Sequence, residues 1–373
     1  MTAKRLAIVG NQAFAMCNFR GPLISKLVGK GTEVIALAPD YTDQDRSAIR
    51  ALGARPVDYP LRRASISPLY DIVTLWTLVR LLKDLAPDVV LSFSAKPVVF
   101  GTTAAWLSAV PSRFALIEGL GHAFLHTDRL RSRLLRGVVE GLYRVSLSRA
   151  TRVLFLNDDD RQEFVDSHLV APARALTVGG IGVNLDEWSV TAPIREPLTF
   201  LFVGRLLREK GILEFVAAAK QLKGMHPTAR FVVLGAPDSN PSSITTAIAA
   251  EWVRDGLIEW KGHADVKPWL AAASVFVLPS YREGVPRSTQ EALAAGKPVI
   301  TTDVPGCRET VIEGLNGYLV PARNAEALAQ AMQRFIVDPT LFDRMGAASR
   351  ELAVERFDER KALDRLLAAM DLA

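Results

Sequence analysis

The sequence predicts an α/β protein made of two doubly wound domains. Apolar runs of strand length alternate with longer segments of helical spacing over residues 1–189, and the alternation starts again at residue 198. Near-continuous apolar strands separated by helices are typical of parallel sheets that are covered on both faces. The polar, proline-bearing stretch VTAPIREP at 190–197 interrupts the pattern and indicates a linker. A chain of 373 residues also exceeds the usual size of one hydrophobic core.

The first alternation contains several apolar runs of strand length. Between them we predict helices from about Phe19, over 70–85 and from Pro97. In the helix at 70–85 the apolar residues recur at helical spacing, at positions 72, 75, 76, 79 and 82. The runs are LAIVG (6–10), EVIALAP (33–39), RPVDYP (55–60), DVVLSFS (88–94), SRFALIEG (112–119), TRVLFLN (151–157) and ALTVGGIGV (175–183).

The second alternation predicts another sheet of the same kind. We expect two Rossmann-like domains that face each other across a cleft, with nucleotides bound at the carboxyl ends of the strands. The predicted boundaries are 1–189, 190–357 and a last helix at 358–373 that crosses back to the first domain. The strands are LTFLFVG (198–204), ARFVVLG (229–235), IEWKG (258–262), VFVLPS (275–280) and PVITT (298–302), with helices at 211–223, 242–254, 266–272 and 286–295.

Composition excludes several classes of protein. Cys17 and Cys307 are far apart and in no metal-ligand spacing, which favours a reducing cytosol over a disulfide scaffold or a zinc site. The N-terminal apolar run is one strand long and no small-residue cleavage site follows it, so we expect no signal peptide. The longest uncharged stretch is too short to span a membrane. We therefore expect a cytoplasmic protein that is not integral to a membrane.

The charge is uneven along the chain. Residues 1–185 hold 23 Lys and Arg against 16 Asp and Glu, a net of +7, whereas the rest has 22 against 24, a net of −2. Leucines and valines lie between the arginines of 129–152, which suits an amphipathic helix on an anionic membrane; a solvated basic face is the alternative. No nucleic-acid-binding motif accompanies the charge, so we expect no nucleic-acid partner. Much of the positive excess is arginine in two places: Arg62 and Arg63, and then Arg129, Arg131, Arg133, Arg136, Arg144, Arg149 and Arg152.

Two segments of the second half contain candidate binding chemistry. In VGRLLREKG (203–211) a strand ends and a helix begins, so Arg205 and Lys210 lie where anions are favoured. In LPSYREGVPRSTQEALAAGKPVI (278–300), Glu283 and Glu291 flank a Gly-Val-Pro turn between strand and helix. Glycine allows a ligand to approach the backbone, and carboxylates hold hydroxyls by charge-assisted hydrogen bonds. Incidental surface charges are the alternative for each segment.

In this order, the GR-x4-K turn and the E-x7-E pair with its G-V-P insert resemble the retaining nucleotide-sugar glycosyltransferases of family 4. The resemblance covers essentially the whole chain and implies the GT-B fold. It implies that Arg205 and Lys210 bind the donor diphosphate and stabilise it as the leaving group. It also implies that Glu283 contacts hydroxyls of the donor sugar and that Glu291 contacts the ribose hydroxyls.

The same resemblance extends to backbone groups and to one histidine. Gly284, Val285 and Pro286 would contact the sugar or phosphate through their backbone. The stretch KGHADV (261–266) matches the segment that lines the base, so His263 is a candidate neighbour of a uracil ring, with an ordinary loop histidine as the alternative. NGYLVP (316–321) gives a turn and a strand after the site.

The first half contributes further candidates. The loop GNQAFAMCNFRGPLI (10–24) takes the place of the family's glycine-rich loop, which makes Gly10 a donor-binding candidate. Arg20 is a phosphate or acceptor candidate, with a solvated arginine at a helix start as the alternative. Lys96 and Arg63 are candidate acceptor-binding residues. Much of the family has a His-Gly pair after the strand FALIE, and this chain has Glu118 there instead, followed by Gly-Leu-Gly. Glu118 is a catalytic candidate whose role is not inherited from histidine, and neither His122 nor His126 is an obvious substitute.

A narrower resemblance concerns the acceptor. The segments FALIEGLG, RASISPLY, LNDDDRQEF, GAPDSNPS and LPSYREGVP look like bacterial transferases that extend undecaprenyl-diphosphate-linked oligosaccharides. This implies transfer of a hexose or N-acetylhexosamine, with N-acetylgalactosamine the best guess, from a UDP-sugar to a lipid-linked saccharide at the inner face of the cytoplasmic membrane. A soluble acceptor and a UDP-sugar 2-epimerase are the alternatives. An NAD-dependent oxidoreductase is disfavoured because no G-x-G-x-x-G follows the first strand.

The resemblance also implies a mechanism without a metal or cofactor. The acceptor hydroxyl attacks from the face that UDP leaves, a donor phosphate oxygen accepts the proton, and two cations neutralise the leaving diphosphate. Asp158, Asp159 and Asp160 mimic a metal-binding D-x-D motif. They follow Asn157, however, and acidic residues are favoured in the first turn of a helix, so we assign them to a helix start.

Overall fold

The computed structural model describes residues 4–63, 67–119, 130–191, 194, 196–238 and 240–373, without the side chains of 130–135. By internal contacts the chain divides into two compact units. Unit 1 comprises Met1–Val178 and Arg365–Ala373, and unit 2 comprises Gly179–Asp364. The domain boundaries expected from the sequence remain a prediction, since this division follows internal contacts rather than function.

Unit 1 is built on a parallel sheet whose strand order is β3-β2-β1-β4-β5-β6-β7. Each pair is in parallel register, for example Ala7 with Ile35 on one side and with Val90 on the other. The strands are short, and the five between the edge strands are largely buried, as expected for a sheet covered on both faces. They are β1 Arg5–Val9, β2 Glu33–Ala38, β3 Arg55–Asp58, β4 Val89–Phe93, β5 Ser112–Ile117, β6 Arg152–Phe155 and β7 Ala175–Thr177.

The helices of unit 1 connect successive strands. The first two contact each other, and the third, fourth and fifth pack side by side in that order. The sheet residues Ala7, Val9 and Val90 form one core cluster with Leu78 and Leu82 of the third helix. The helices are α1 Ala13–Gly29, α2 Asp43–Ala51, α3 Pro68–Leu85, α4 Ala95–Leu107, α5 Leu130–Leu147 and α6 Asp158–Asp166.

Two helix starts differ from the sequence prediction. Helix α1 begins at Ala13 rather than near Phe19, because the Asp40 carboxylate, distant in sequence, accepts a hydrogen bond from the Ala13 backbone N–H at 2.6 Å. Helix α4 begins at Ala95, so Pro97 lies within its first turn, where a missing N–H costs nothing. Helix α6 begins directly after Asn157, whose side chain accepts from the Asp160 N–H at 2.7 Å.

Unit 2 repeats the plan with the strand order β10-β9-β8-β11-β12-β13. All its strand pairs are parallel. The strands are β8 Thr199–Val203, β9 Arg230–Leu234, β10 Glu259–Trp260, β11 Val275–Leu278, β12 Val299–Thr302 and β13 Gly317–Val320. The helices are α7 Ile212–Met225, α8 Thr246–Arg254, α9 Val266–Ala272, α10 Arg287–Ala294, α11 Ala325–Val337 and α12 Thr340–Arg356, and the last helix, α13 Glu359–Ala369, begins in unit 2 and ends in unit 1.

Two further boundaries depart from the prediction. Helix α8 starts at Thr246 rather than at 242, because the preceding residues form two successive turns: Asp238 Oδ1 accepts from the Asn240 N–H, and Asn240 Oδ1 accepts from the Ser242 N–H. The predicted strand 175–183 ends at Thr177. Beyond it Gly179 and Gly182 have positive φ, which extended structure does not allow.

The end of the chain belongs to unit 1. Arg152 of β6 pairs with Asp371 at 2.9 Å, and Arg365 donates a hydrogen bond to the Val178 carbonyl at 3.0 Å. Within the described ranges, none of the helices has both the length and the apolarity that crossing a membrane requires.

In each unit the strand order reverses beside the first strand. Strand β1 lies between β2 and β4, and β8 lies between β9 and β11. In open α/β sheets ligands bind at the carboxyl ends of the strands at such a switch point. The fold therefore singles out the residues that follow β1, β4 and β5 in unit 1, and those that follow β8, β11 and β12 in unit 2.

Candidate active site

The turn after β8 contains Arg205. The preceding Gly204 packs against Gly235 so closely that a Cβ on Gly235, whose φ is +142°, would clash with the Gly204 carbonyl. Arg205 itself is 55% exposed and pairs with Asp238 through Nη1 and Oδ2 at 2.8 Å. Asp238 is largely shielded and its backbone N–H donates to Ser243 Oγ at 2.9 Å, so it holds the guanidinium from a fixed turn.

Lys210 lies at the end of the 3₁₀ turn Arg208–Lys210, just before α7. Its ammonium group forms an ion pair with the Glu283 carboxylate, and Ser280 Oγ donates to the same Glu283 Oε1 at 2.7 Å. The next residue, Gly211, has a φ of +73° and packs against the Pro279 carbonyl, where a side chain does not fit. The turn after β8 and the loop after β11 are therefore fixed together at the edge of the sheet.

Neighbouring residues fix the backbone of the loop 283–286. Gly306, with a φ of +77°, packs against the carbonyls of Glu283 and Gly284 with no room for a Cβ. The Glu283 N–H donates to the Pro305 carbonyl at 3.1 Å. Buried Gln290 donates from Nε2 to the Val285 carbonyl at 3.1 Å and accepts the Gly182 N–H at 2.9 Å. These contacts hold the backbone of the Gly-Val-Pro turn in one conformation.

Glu291 lies on α10, which begins directly after Pro286. Burial raises the pKa of its carboxyl group, and the nearby charge and hydrogen bond of Arg287 act in the opposite direction. Arg287 Nε reaches Glu291 Oε1 at 2.9 Å. A mostly buried carboxylate with one cationic partner retains oxygen lone pairs for hydroxyl donors.

Two other groups complete the description of this edge. His263, in the turn that follows β10, is exposed. Cys307 is buried beside Gly306, and burial together with the charge of Glu283 raises the pKa of its thiol to about 12. A neutral, buried thiol is a packing group rather than a nucleophile.

Unit 1 has its own charged cluster at the corresponding edge. Glu118 follows β5 and pairs with Arg20 of α1, whose side chain is only 3% exposed. Ser94, which follows β4, donates through Oγ to Glu118 Oε2 at 3.1 Å. The Arg20 guanidinium also lies 4.5 Å from the centre of the Phe93 ring. Its charge is thus committed to Glu118, which is 25% exposed and is the more accessible member of the pair.

Strain and close packing hold this cluster in place. Ser94 has a φ of +71°, a region that residues other than glycine rarely adopt and that often accompanies functional sites. Gly10, at the end of β1, packs so closely on Phe93 that a side chain would displace the ring beneath Arg20. Tyr59 donates to the Gly10 carbonyl at 2.6 Å. Gly10 therefore supports the Arg20–Glu118 pair through Phe93.

Lys96 and Arg63 are the remaining candidates of the first half, and they are not part of the Arg20–Glu118 pair. Lys96, in the first turn of α4, pairs with Asp71 of α3 at 2.7 Å, and both side chains are mostly shielded. Arg63 is exposed in the segment that precedes α3. His122, His126 and Gly121 lie outside the described residues. Of the basic region, Arg129 lies outside them, as do the side chains of Arg131 and Arg133.

The structure thus groups the predicted residues into two clusters, one in each unit. Lys210, Glu283 and the turn 284–286 form the first, and Arg20 with Glu118 forms the second. Sequence reasoning missed Ser280 and Ser94, which hold the two carboxylates. Each serine comes one or two residues after a buried strand, a position that could have indicated a role. Asp238, which holds Arg205, had no local signal.

Neither cluster resembles a metal centre. Among the described residues, no group of three or more His, Cys, Asp or Glu side chains could hold a metal ion. Asp158 instead accepts a hydrogen bond from Thr177 Oγ1 at 2.6 Å, and this bond lowers the pKa of its carboxyl group. In unit 2, cations at the carboxyl edge lie beside a carboxylate and a fixed backbone turn, an arrangement that suits an anionic ligand with hydroxyl groups.

Comparison with known proteins agrees with this geometry. A family model described as glycosyl transferases group 1 matches residues 197–338, and a glycosyl transferase 4-like domain matches residues 21–180. The chain is 28% identical, over 98% of both chains, to an N,N'-diacetylbacillosaminyl-diphospho-undecaprenol alpha-1,3-N-acetylgalactosaminyltransferase of Campylobacter jejuni. It is 26% identical, over 81% of this chain and 80% of the relative, to a UDP-Gal:alpha-D-GlcNAc-diphosphoundecaprenol alpha-1,3-galactosyltransferase of Escherichia coli.

Solved structures share the architecture at low identity. Anabaena Alr3699/HepE in complex with UDP superposes with a TM-score of 0.77 and 16% identity, covering 99% of this chain and 100% of that one. A sucrose-phosphate synthase of Thermosynechococcus elongatus superposes with a TM-score of 0.78 and 19% identity, covering 99% of each chain. Two Rossmann-like units with these neighbours establish the GT-B fold, and the two family models between them span most of the sequence. The chain belongs to the group 1, family 4-like glycosyltransferases.

Proposed function

We propose that this glycosyltransferase moves N-acetylgalactosamine from UDP to an undecaprenyl-diphosphate-linked saccharide, with retention of the anomeric configuration. The observation that carries the proposal is the 28% identity over 98% of both chains to the Campylobacter transferase, whose name states that sugar and that lipid. The E. coli relative acts on another diphosphoundecaprenol-linked sugar but transfers galactose. The lipid diphosphate common to both names supports the acceptor class, and the donor sugar is the finer part of the proposal.

The donor binds in unit 2 at the carboxyl edge of the sheet. Lys210 has three N–H donors and uses one for Glu283, which leaves others for a diphosphate. Arg205 is exposed on the same edge, held by Asp238. Glu283 accepts hydrogen bonds from hydroxyls of the sugar, and Glu291 accepts hydrogen bonds from hydroxyls of the ribose. The fixed turn 284–286 supplies backbone groups, and His263 lies against the base.

Catalysis rests on positioning and on charge. The acceptor hydroxyl attacks the anomeric carbon from the face that UDP leaves, the bond from that carbon to the diphosphate oxygen breaks, and a donor phosphate oxygen takes the proton. Lys210 and Arg205 stabilise the negative charge that grows on the departing diphosphate, which is the largest electrostatic change in the reaction. Since two side-chain cations supply this charge, the reaction needs no metal ion.

The acceptor binds in unit 1. The cluster formed by Arg20, Ser94 and Glu118 presents a carboxylate that hydroxyls of the acceptor saccharide can reach, while Lys96 and Arg63 are cations for its diphosphate. Because undecaprenyl chains stay in the bilayer, the enzyme works as a peripheral protein on the inner face of the cytoplasmic membrane. The net charge of +7 on residues 1–185 supports this location, since cationic surfaces are attracted to anionic lipids.

The test is UDP release from a panel of UDP-sugars, with and without an undecaprenyl-diphosphate-linked saccharide. We expect release with UDP-N-acetylgalactosamine only when the lipid-linked acceptor is present. Release with another UDP-sugar would change the donor alone. Release with a soluble acceptor and none with the lipid-linked one would overturn the acceptor.

Two further measurements test the mechanism. The anomeric coupling constant of the product, read by NMR, should report an α-linkage from the α-linked donor. A β-linkage would exclude retention. Full activity in excess EDTA is expected, and loss of activity that added divalent ions restore would contradict the metal-free reaction.

A further inference from the structure

Helix α3 has an apolar face that the protein leaves uncovered. Leu69 is 80% exposed, and Ile72, Val73 and Trp76 are 52–54% exposed. Their spacing is i, i+3, i+4 and i+7, so they share one side of the helix. From the sequence, Ile72 and Trp76 were placed with Val79 and Leu82 in one apolar series, yet only the latter two are buried.

The same side of the helix continues into two cations. An α-helix advances about 100° per residue, so Arg80 and Lys83 fall with the four apolar residues inside an arc of about 100°. Thr74, Leu78 and Leu82 lie on the opposite side, where they are buried. We call the outward set the α3 stripe. It consists of Leu69, Ile72, Val73, Trp76, Arg80 and Lys83.

The charges around the α3 stripe are mainly positive and available. Within the described chain, neither Arg80 nor Lys83 pairs with a carboxylate. Arg62 stacks on Tyr70 at the start of the helix, 4.4 Å from the ring centre, and adds a third cation. The nearby Asp84 is exposed at the edge of the stripe and offsets only one of these charges.

The neighbouring helices extend the surface. Helix α4 packs against α3, and α5 against α4. Trp106, at the end of α4, is 40% exposed, and the Arg149 guanidinium lies 4.2 Å from the centre of its ring. Val138 and Val145 of α5 are also exposed. Apolar groups accompanied by cations therefore recur across the outer side of this helical layer.

We propose that the α3 stripe lies in the head-group region of an anionic lipid bilayer. Its large apolar side chains would enter the acyl boundary, while Arg80, Lys83 and Arg62 contact lipid phosphates. This combination of one apolar face and flanking cations is typical of helices that lie in the plane of a membrane. Tryptophan is favoured at that depth because its ring is amphipathic.

The position of α3 connects the stripe to the candidate acceptor site. Asp71, in the first turn of α3, pairs with Lys96, which is two residues beyond Ser94. Ser94 in turn holds Glu118. The apolar half of the stripe therefore lies at the end of the helix that is tied to the acceptor-site edge of the sheet. The inference deepens the proposed function and rests on it for its biological sense, although lipid binding itself can be measured separately.

Two arginines of the region 129–152, which the sequence associated with the membrane, pair with carboxylates of the protein. Arg136 pairs with Glu140 at 2.7 Å and lies 3.6 Å from Glu163. Arg152 pairs with Asp371 at 2.9 Å. These two guanidinium groups already have carboxylate partners, whereas Arg80 and Lys83 have none within the described chain. Helix α5 is therefore a flank of the contact, and the α3 stripe is its centre.

The test is co-sedimentation of the full chain with vesicles of phosphatidylcholine containing phosphatidylglycerol, compared with vesicles of phosphatidylcholine alone. We expect binding to the anionic vesicles that weakens with salt. Val73→Glu and Ile72→Glu should each weaken it at least about tenfold, because an apolar group that enters the bilayer is replaced by a charge that is repelled. Circular dichroism should show both variants folded, since the positions are exposed.

Matched variants separate the stripe from other apolar residues. Val337→Glu changes a valine on a helix of unit 2 that is even more exposed, at 73% against 52% for Val73, and it should bind vesicles as the wild type does. Val145→Glu tests the flank and should have a smaller effect than Val73→Glu. Equal loss in Val73→Glu and Val337→Glu, or loss in Val145→Glu alone, would overturn the assignment. Dimers that dissociate in Val73→Glu, without vesicle binding by the wild type, would assign the stripe to a second copy of the chain instead.

Activity assays keep this inference distinct from the proposed function. With acceptor embedded in anionic vesicles, Val73→Glu should lose about tenfold in rate, but it should match the wild type on a short-chain, water-soluble prenyl-diphosphate-linked saccharide. Vesicle binding through the stripe without transfer to any lipid-linked saccharide would reject the proposed function and leave the inference standing. Transfer to the lipid-linked acceptor by a protein that ignores anionic vesicles would do the reverse.

Discussion

Each unit has a carboxylate at the carboxyl edge of its sheet, and the two carboxylates are held by similar partners. In unit 1, Glu118 is bound by Arg20 and by Ser94, which follows β4. In unit 2, Glu283 is bound by Lys210 and by Ser280, which follows β11. Strands β4 and β11 are equivalent, because each lies beside the first strand of its sheet at the switch point.

The difference lies in which partner is accessible. In unit 1 the cation is buried, with 3% of the Arg20 side chain exposed against 25% for Glu118. In unit 2 the order is reversed, with 20% for Lys210 against 12% for Glu283. Unit 1 therefore offers a carboxylate, suited to neutral hydroxyls, and unit 2 offers a cation, suited to a diphosphate. This difference agrees with the proposed division into an acceptor sugar site in unit 1 and a donor phosphate site in unit 2.

The largest effect is expected for the accessible cation. Lys210→Met should lower kcat by about 10²–10³, the loss typical of one removed electrostatic contact to the developing charge. An exposed lysine of the same unit, Lys220 on α7, gives the control Lys220→Met, which should retain wild-type turnover. Steady-state UDP release measures both. Wild-type turnover by Lys210→Met would break the assignment of unit 2 to the diphosphate.

The two carboxylates should respond differently to the same change. Glu118→Gln retains an oxygen for Arg20 but replaces a charged hydroxyl acceptor, so we expect kcat/KM for the acceptor to fall about tenfold to a hundredfold. Glu283→Gln should lower kcat/KM for the donor by a similar factor, because its carboxylate contacts the donor sugar.

Separate titrations of donor and acceptor make this a test of the comparison. In Glu118→Gln the KM for the UDP-sugar should stay near the wild-type value, and in Glu283→Gln the KM for the acceptor should do so. If Glu118→Gln changed the donor KM alone, the carboxylate of unit 1 would belong to the donor site, and the division of roles between units would be wrong.

Most of the fold could be predicted because it depends on local patterns. Each strand of unit 2 was predicted within about two residues, since buried parallel strands are continuous apolar runs. The start of α1 was wrong because the Asp40 carboxylate that caps it is distant in sequence. The exposure of Ile72 and Trp76 on α3 could not be predicted, because periodicity shows that apolar residues share a face, but not that the face is covered.

Only the site residues that lie in sequence motifs could be predicted. Lys210 and Glu283 were identified from the spacing of two segments, and the structure pairs them. The burial of Arg20 had no sequence signal, because it depends on Phe93 and on the absence of a side chain at Gly10. Arg20 was therefore expected to meet a ligand, whereas its guanidinium is used inside the protein to hold Glu118.

A smaller effect is expected at Glu291, which sharpens the assignment within unit 2. Burial raises the pKa of this carboxyl group, so the charged form is already disfavoured and Gln is a mild replacement. Glu291→Gln should raise the KM for the UDP-sugar about tenfold with little change in kcat, as for uniform binding of a remote ribose. A large fall in kcat at unchanged KM would instead place Glu291 at the reacting sugar.

The smallest effect concerns a second buried cation, which contrasts with Arg20. Lys297 is 2% exposed, and its ammonium group donates to Thr191 Oγ1 at 3.1 Å and to the Ala271 carbonyl at 3.2 Å, both neutral. Burial lowers its pKa from 10.5 to about 8. Between these values the unfolded chain binds more protons, so the cost of burying the charge is fully present below about pH 8 and declines as the pH rises.

Relative to Lys297→Met, the wild type should therefore gain about 1 kcal/mol in the free energy of unfolding between about pH 7 and pH 9. Denaturant titrations of both proteins at the two pH values measure this, and a difference that does not change with pH would show that Lys297 remains charged in the fold.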